Sequence, residues 1–289
     1  MTTGTDITDA AEASTDAIWL VMGGGALKGL AHIGAWRAVQ EAGLRVAGIV
    51  GTSIGAMVGA ALAGGRSVAE MEALARGLKR KDILRLNRRA VWINGIRAES
   101  VFRGPPLKDF IRNLLPTHDW AELRIPLVVN VVDLANGETV WLGHGGATDV
   151  PLVDSLYASS ALPVLFPPLE VNGRYLLDGG IQDMLPLQRA ADLGATRIIA
   201  IDAGAGPDVD AKAVMRQGMI AMHQRVFVIM AGQKRRDTIR DWTGVPLTFV
   251  RPDLATHGGF DFNEIDYFLD EGYRATKEAL SGASTYGDG

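Results

Sequence analysis

Short apolar runs alternate along this chain with longer stretches in which apolar residues recur at helical spacing. The runs are bounded by glycine, proline or polar residues, as is typical of buried strands, and they fall at 18–22, 46–50, 126–132, 138–142, 174–177, 197–202 and 247–250. Helices are predicted at 30–42, 54–63, 68–78, 105–114, 153–159, 186–193, 211–233 and 263–280. This alternation predicts one doubly wound, mainly parallel α/β sheet with helices on both faces.

The pattern also suggests domain limits. Residues 1–16 are polar and lack the basic and apolar regions of a signal peptide, so we expect a disordered leader. A single domain is expected over 17–280, with a cap of basic and apolar residues near 79–104 and a frayed tail at 281–289. No apolar run is long enough to span a membrane.

Composition narrows the classes of function. The 289 residues are 47% hydrophobic, enough for one large core. The absence of cysteine excludes disulfides and thiol chemistry and fits a cytoplasmic protein. A net charge of -4 gives no reason to expect a nucleic-acid partner.

One serine stands between two glycines where an apolar run meets a helix of small residues. The segment Gly51-Thr52-Ser53-Ile54-Gly55 follows the strand at 46–50, a layout typical of a nucleophile elbow. The glycines leave the turn uncrowded, and the N-terminus of the next helix stabilises negative charge near Ser53. A helix-capping serine at a close-packing site is the alternative.

A glycine-rich loop, Gly23-Gly24-Gly25-Ala26-Leu27-Lys28-Gly29, joins the first predicted strand to the first helix. Its N–H groups could hold a phosphate or an oxyanion. The spacing fits neither a dinucleotide fingerprint nor a P-loop, because Gly25 and Gly29 are one residue too far apart and no Ser or Thr follows Lys28. An oxyanion hole is therefore favoured, and a tight turn with close helix packing is the alternative.

The serine needs a base. The five histidines are His32, His118, His144, His223 and His257. None of them lies in an obvious catalytic setting. Asp178 instead ends a short predicted strand before Gly179 and Gly180, where open α/β sheets hold their site residues. An Asx turn is the alternative for this aspartate.

Taken in order, these motifs resemble the bacterial patatin-like phospholipase family. The shared features are the glycine-rich loop ending in a basic residue and glycine, G-x-S-x-G, Asp-Gly-Gly, the block 158–168 and the run 182–186. The resemblance covers about 18–203 and implies a three-layer patatin-like sandwich. It also implies a Ser-Asp dyad that needs no histidine, metal or cofactor.

Each role follows from the same resemblance. Ser53 is the expected nucleophile and Asp178 the base, with the backbone of Gly24, Gly25 and Ala26 as the oxyanion hole. The apolar strand before Asp178 is expected to desolvate the carboxylate and raise its pKa towards working pH.

Two positions of the loop, Ala26 and Lys28, carry further expectations. Ala26 stands where the family has its third glycine, which the hole tolerates if that position requires no positive φ. Lys28 is expected to hold the loop or to contact a lipid phosphate.

The resemblance therefore predicts a serine acyl hydrolase that cleaves carboxylic ester bonds of phospholipids or lysophospholipids through an acyl-enzyme. An acyltransferase with the same dyad and a catalytically inactive lipid-binding module are the alternatives. The expected partner is a lipid ester.

Two stretches are candidates for peripheral contact with the inner face of a membrane. Basic and apolar residues interleave at 79–104, which suits an anionic bilayer or a solvated cap. The Met-rich stretch 211–242 could line an acyl pocket or dock on lipid, although ordinary core packing is the favoured explanation.

Overall fold

Eight strands form one mixed sheet in the part of the chain that the structure describes. This computed structural model describes residues 16–88, 92, 97–204 and 209–282. The strands are β1 (Ile18–Met22), β2 (Val46–Gly51), β3 (Leu127–Asp133), β4 (Thr139–Gly143), β5 (Leu169–Val171), β6 (Arg174–Asp178), β7 (Arg197–Ile201) and β8 (Leu247–Val250). They are ordered β5-β6-β3-β2-β1-β7-β8, and β4 also pairs with β3.

Five of these strands run parallel. β1 lies between β2 and β7 with every residue buried, while β3 pairs with β2 and β8 pairs with β7. Strands covered by helices on both faces read as continuous apolar runs, as β1 and β3 do. The predicted doubly wound, mainly parallel sheet is confirmed, although the short strand β5 was not predicted.

Helices cover both faces of the sheet. They are α1 (Ala31–Glu41), α2 (Ile54–Ala63), α3 (Val68–Gly77), α4 (Arg80–Ile83), α5 (Gly104–Leu114), α6 (Leu152–Ser159), α7 (Leu187–Asp192), α8 (Ala211–Gln217), α9 (Met219–Arg240) and α10 (Ile265–Leu280). The core around α1, α2 and α10 lies on one face, and a smaller core around α7 lies on the other. The result is the expected three-layer arrangement.

The predicted helix at 211–233 is wrong in one respect. Gly218, with φ 86°, separates α8 from α9, and α9 then continues to Arg240. The apolar spacing continues across this glycine, so the sequence pattern did not reveal the break, which glycine adopts without a steric penalty.

Two strands meet end to end on one edge of β3. β2 pairs with 127–129 and β6 pairs antiparallel with 131–133, while β4 occupies the opposite edge over 128–132. Gly51 therefore lies opposite Val129, and Asp178 lies opposite Val131. Two residues of a strand span about 7 Å. The end of β2 and the end of β6 are thus brought together from opposite directions.

Several predicted segments lie outside the described residues. These are 1–15 of the leader, 283–289 of the tail, and 89–91 and 93–96 of the cap segment, so the domain limits stay predictions. Within the cap segment, α4 is followed by an isolated pairing of Leu86 with Phe102. Over the ranges given above, no helix combines the length and the apolar character that crossing a membrane requires.

Candidate active site

Ser53 occupies a strained turn between β2 and α2. Its backbone has φ 55° and ψ -125°, a conformation that a non-glycine residue rarely adopts. A Cβ on Gly55 would lie 2.1 Å from the carbonyl oxygen of Met22, so only glycine allows this turn to pack against the end of β1. Ser53 is 7% exposed and borders an internal cavity.

Two further serines at the end of α6 surround the nucleophile candidate. The Ser53 N–H donates to Oγ of Ser159 at 3.0 Å, and both groups are buried. Oγ of Ser160 is also buried and lines the cavity, and it has no hydrogen-bond partner among the described residues. Ser159 therefore fixes the strained turn, while Ser160 adds an unpaired hydroxyl beside Ser53.

Asp178 is fully buried at the end of β6. Its Oδ1 accepts a hydrogen bond from the N–H of Gly180 at 2.8 Å. Oδ2 accepts no well-formed hydrogen bond from the described residues. The Ser53 hydroxyl nevertheless lies near enough to the carboxylate to lower its pKa. The contact is looser than an ordinary hydrogen bond, as is common in catalytic pairs without a bound substrate.

Burial changes the acidity of this carboxyl group. Desolvation raises the pKa of Asp178 from 3.8 to about 7, while the hydrogen bond from Gly180 and the nearby Ser53 hydroxyl oppose that rise. A carboxylate with a pKa near 7 is a much better proton acceptor than an exposed aspartate.

The turn after Asp178 is held by Asn130 in the middle of β3. The Asn130 side-chain amide donates to the carbonyl oxygens of Gly179, at 3.2 Å, and Asp183, at 2.7 Å. A Cβ on Gly179 would lie 2.4 Å from the Asn130 side chain, so glycine is required there. The Asp-Gly-Gly motif therefore allows this close packing as well as forming an Asx turn.

The glycine-rich loop passes beside Ser53. A Cβ on Gly24 would lie 3.5 Å from Cβ of Ser53, but the Gly24 N–H donates to the carbonyl oxygen of Met184 at 3.3 Å. The N–H groups of Gly25 and Ala26 make no hydrogen bond to any residue that the structure describes. The geometry thus leaves Gly25 and Ala26 as the available donors, whereas the Gly24 donor is already engaged.

Ala26 adopts φ 52°, a left-handed backbone conformation that favours glycine. Alanine was expected to be tolerated here only if the position required no positive φ. The position does have a positive φ, so this condition is not met. An L-residue in this region is destabilised by about 1–2 kcal/mol.

His32, in the first turn of α1, supports the loop and does not act as a base. Its Nε2 lies 2.8 Å from the carbonyl oxygen of Gly23 and donates to it. Burial lowers the pKa of His32 to about 4, so the ring is neutral near pH 7.

Lys28 is buried beside an ion pair on the far side of the loop. Its Nζ lies 3.5 Å from the carbonyl oxygen of Leu254. Burial lowers the Lys28 pKa to about 8 despite the nearby charge of Asp202, which pairs with Arg235 at 2.8 Å. Lys28 does not line the cavity, so its position favours holding the loop over contacting a phosphate.

The cavity at Ser53 is almost entirely apolar. Apart from Ala26, Ser53 and Ser160, its lining consists of Leu27, Leu30, Ile54, Met57, Leu78, Ile83, Leu107, Phe110, Leu162, Phe166, Phe260 and Phe262. Such a lining suits a hydrocarbon chain and excludes a strongly polar substrate group.

One group of side chains has the chemistry of a metal site. His257, Asp261 and Glu264, before α10, place possible ligand atoms within 4.8 Å of one another. Phe260 and Phe262 alternate with these residues and line the cavity. The trio is therefore close in sequence to two residues of the cavity lining.

Sequence reasoning did not identify Ser159 and Asn130 as supports of the site. Ser159 belongs to the block 158–168, which is the signal that pointed to its region, whereas Asn130 lies between Val129 and Val131 inside β3. A polar residue in the middle of a buried strand is the sequence feature that could have drawn attention to Asn130.

Comparisons with known proteins place these residues in a family. The Patatin-like phospholipase family model matches residues 20–191, a range that includes Ser53 and Asp178. An uncharacterized NTE family protein of Mycobacterium tuberculosis is 36% identical over 202 residues, which are 69% of this chain and 53% of that protein. Neuropathy target esterase sws of Drosophila melanogaster is 33% identical over 200 residues, 68% of this chain and 13% of that protein.

A solved structure agrees with the architecture. VipD from Legionella pneumophila superimposes with a TM-score of 0.58 at 17% identity, covering 92% of this chain and 67% of that one. The chain spans about half the length of the mycobacterial relatives that it matches. Because the family model covers more than half of the chain and the matched range contains both the elbow and the Asp-Gly-Gly turn, the chain belongs to the patatin-like phospholipase family.

Proposed function

We propose that the protein is a serine acyl hydrolase that cleaves carboxylic ester bonds of phospholipids or lysophospholipids through an acyl-enzyme. One observation carries the proposal. A serine on a strained turn borders an apolar cavity and lies near a fully buried carboxyl group whose pKa is raised to about 7. A purely structural serine and aspartate would not require this combination of strain and desolvation.

The first half of the reaction uses Asp178 as base. Oδ2 takes the proton of the Ser53 hydroxyl while Oγ attacks the ester carbonyl carbon. The N–H groups of Gly25 and Ala26 then stabilise the tetrahedral oxyanion, with the N-terminus of α2 contributing its dipole. When the intermediate collapses, the leaving alcohol takes the proton from Asp178 and the acyl group stays on Ser53.

The second half releases the acyl group. Asp178, again ionised, takes a proton from water, and the resulting hydroxide attacks the acyl carbonyl. Collapse returns that proton to Oγ of Ser53 and frees the carboxylic acid. A positioned base contributes about 10²- to 10⁴-fold, and one oxyanion donor about 10²- to 10³-fold.

The cavity supports the proposed substrate class. A lining of aliphatic and aromatic side chains fits an acyl chain, and Ser53 at its wall would face the ester at the end of that chain. Because such lipids are held in bilayers, peripheral membrane contact is part of this proposal.

A fluorophosphonate probe tests the dyad. The wild-type protein is expected to label at Ser53, Ser53→Ala should not label, and Asp178→Asn should label far more slowly because the hydroxyl loses its proton acceptor. Equal labelling of wild type and Asp178→Asn would exclude Asp178 as the base.

Mixed phospholipids then test the reaction. Incubation with purified protein should release free fatty acid and lysolipid, as followed by mass spectrometry. Labelling without fatty acid release, but with transfer of the acyl group to an added alcohol, would instead identify an acyltransferase. A protein that neither labels nor turns over any lipid would be an inactive binding module.

A further inference from the structure

An exposed apolar surface runs along α8 and the first half of α9. Its side chains are large and at least one third exposed, and they are Met215, Met219, Ile220, Met222, Val226 and 228–230. Met219 is 76% exposed and Met230 is 67% exposed. We call this surface the α8–α9 face.

Core packing does not explain these residues. In α9 the buried positions are Ala231, Gly232 and Arg235, so the turns before residue 231 contribute no buried side chain to the core. The expectation that the Met-rich helix packs into the core is therefore wrong for this half of the helix. Exposing so much contiguous apolar surface is unusual for a soluble domain and points to a binding surface.

Positive charge predominates along α8 and α9. Residues 211–236 contain no aspartate or glutamate, and their basic residues are Lys212, Arg216, Arg225, Lys234, Arg235 and Arg236. Arg235 is consumed in the buried pair with Asp202, and Arg216 pairs with Asp210 just before α8. Lys212, Lys234 and Arg236 carry further positive charge on a chain whose net charge is -4.

The helix that carries the face packs beside the candidate active site. Gln224 lies on the side of α9 turned away from Met219 and Met230. Its side-chain amide donates to the carbonyl oxygen of Pro163 at 3.2 Å, and the preceding residue, Leu162, lines the cavity. Further along α9, Nζ of Lys234 donates to the side chain of Gln182, close after the Asp-Gly-Gly turn. These contacts hold α9 next to the cavity, with the exposed side chains on its outer side.

We propose that the α8–α9 face docks on the surface of an anionic lipid bilayer. Flexible methionine and branched side chains can enter the acyl region while the surrounding lysines and arginines contact anionic headgroups. This choice of occupant rests on the proposed lipid hydrolase function and on charge. A second copy bound about a two-fold axis would bring the same cationic helices against each other, which is unfavourable.

Vesicle flotation tests the docking surface without turnover. Ser53→Ala protein is mixed with vesicles of phosphatidylcholine alone or of equimolar phosphatidylcholine and phosphatidylglycerol. We expect flotation with the anionic vesicles and little with phosphatidylcholine alone. The double substitution Met219→Asp with Met230→Asp should lower the partition coefficient at least about tenfold, because it removes apolar contacts and adds like charge to the membrane.

Two further variants test whether the binding is specific to the α8–α9 face and to its charge. Leu134→Asp, at a residue that is 57% exposed in the turn between β3 and β4, is the matched control and should bind like the parent protein. Lys212→Gln with Arg236→Gln keeps every apolar contact, and each lost charge should weaken binding to anionic vesicles about fivefold. This pair tests the proposal even if the aspartate variant fails to fold, which circular dichroism would reveal.

Several outcomes would overturn the docking proposal. These are equal flotation with both vesicle types, unchanged binding of both double variants, or loss of binding in Leu134→Asp as well. A dimer seen by sedimentation equilibrium that dissociates in Met219→Asp with Met230→Asp, without any vesicle binding, would show that a second copy covers the face. Because the assay uses Ser53→Ala protein, its failure would leave the probe-labelling test of the dyad untouched.

Discussion

Replacing Asp178 by Asn should stabilise the folded protein at neutral and alkaline pH. The substitution keeps the shape of the side chain and its acceptor for the Gly180 N–H, but it removes a buried charge. Burial raises the Asp178 pKa from 3.8 to about 7, so the folded state holds this proton more tightly than the unfolded state does. The contribution to stability is therefore fully present below about pH 4 and is lost as the pH rises through about 7.

The magnitude follows from the two pKa values. A difference of about three units corresponds to about 4 kcal/mol once the pH is above the folded value. Between about pH 5 and about pH 8, the wild type should lose about 2.5 kcal/mol relative to Asp178→Asn. Urea unfolding at several pH values measures this difference directly.

Asp133→Asn is the matched control. The Asp133 carboxylate pairs with Arg174 at 2.7 Å and accepts the N–H of Ala135, interactions that lower its pKa. Its proton therefore leaves at still lower pH in the folded state, and the effect of this substitution should stay constant between about pH 5 and about pH 8. A gap between Asp178→Asn and wild type that is equally flat over this range would refute the account of a desolvated carboxylate.

Two other supports of the site give separate predictions. Ser159→Ala removes the acceptor of the buried Ser53 N–H and should reduce the unfolding free energy by about 1–3 kcal/mol, whereas Ser160→Ala, which removes an already unpaired hydroxyl, should reduce it little. Urea unfolding of both variants checks this, and equal effects would contradict it. Ala26→Gly should raise the melting temperature, because glycine relieves the strain of about 1–2 kcal/mol at φ 52°, while Ala61→Gly, inside α2, should lower it. A melting temperature lowered by both glycine substitutions would show that Ala26 is not strained.

Local sequence features predicted most of the elements and the site motifs. The apolar runs of β1 and β8 and the helix α2 match their predicted ranges, because each is bounded by residues that stop a strand or a helix. Gly51 and Gly55 indicated a tight turn at Ser53, and the turn is present with a positive φ. These features depend on neighbours within a few residues, which the sequence displays directly.

Long-range pairing decided the rest. The direction of β6, the meeting of β2 and β6 on one edge of β3, and the hydrogen bond from Ser53 to Ser159 join residues up to about 130 positions apart. No local pattern encodes such contacts, because they depend on how the strands are arranged in the sheet.

The sequence by itself determined that this chain carries a glycine-rich loop, a serine elbow and an Asp-Gly-Gly turn in the order of the patatin-like phospholipase family. Only the tertiary structure decided that the Gly24 N–H is engaged by the carbonyl oxygen of Met184, that Ala26 is strained, and that the α8–α9 face is exposed. The physical reason is that helical apolar spacing is the same whether a helix faces the protein core or a lipid surface. Burial, desolvation and the direction of a backbone donor arise only when distant segments are packed together.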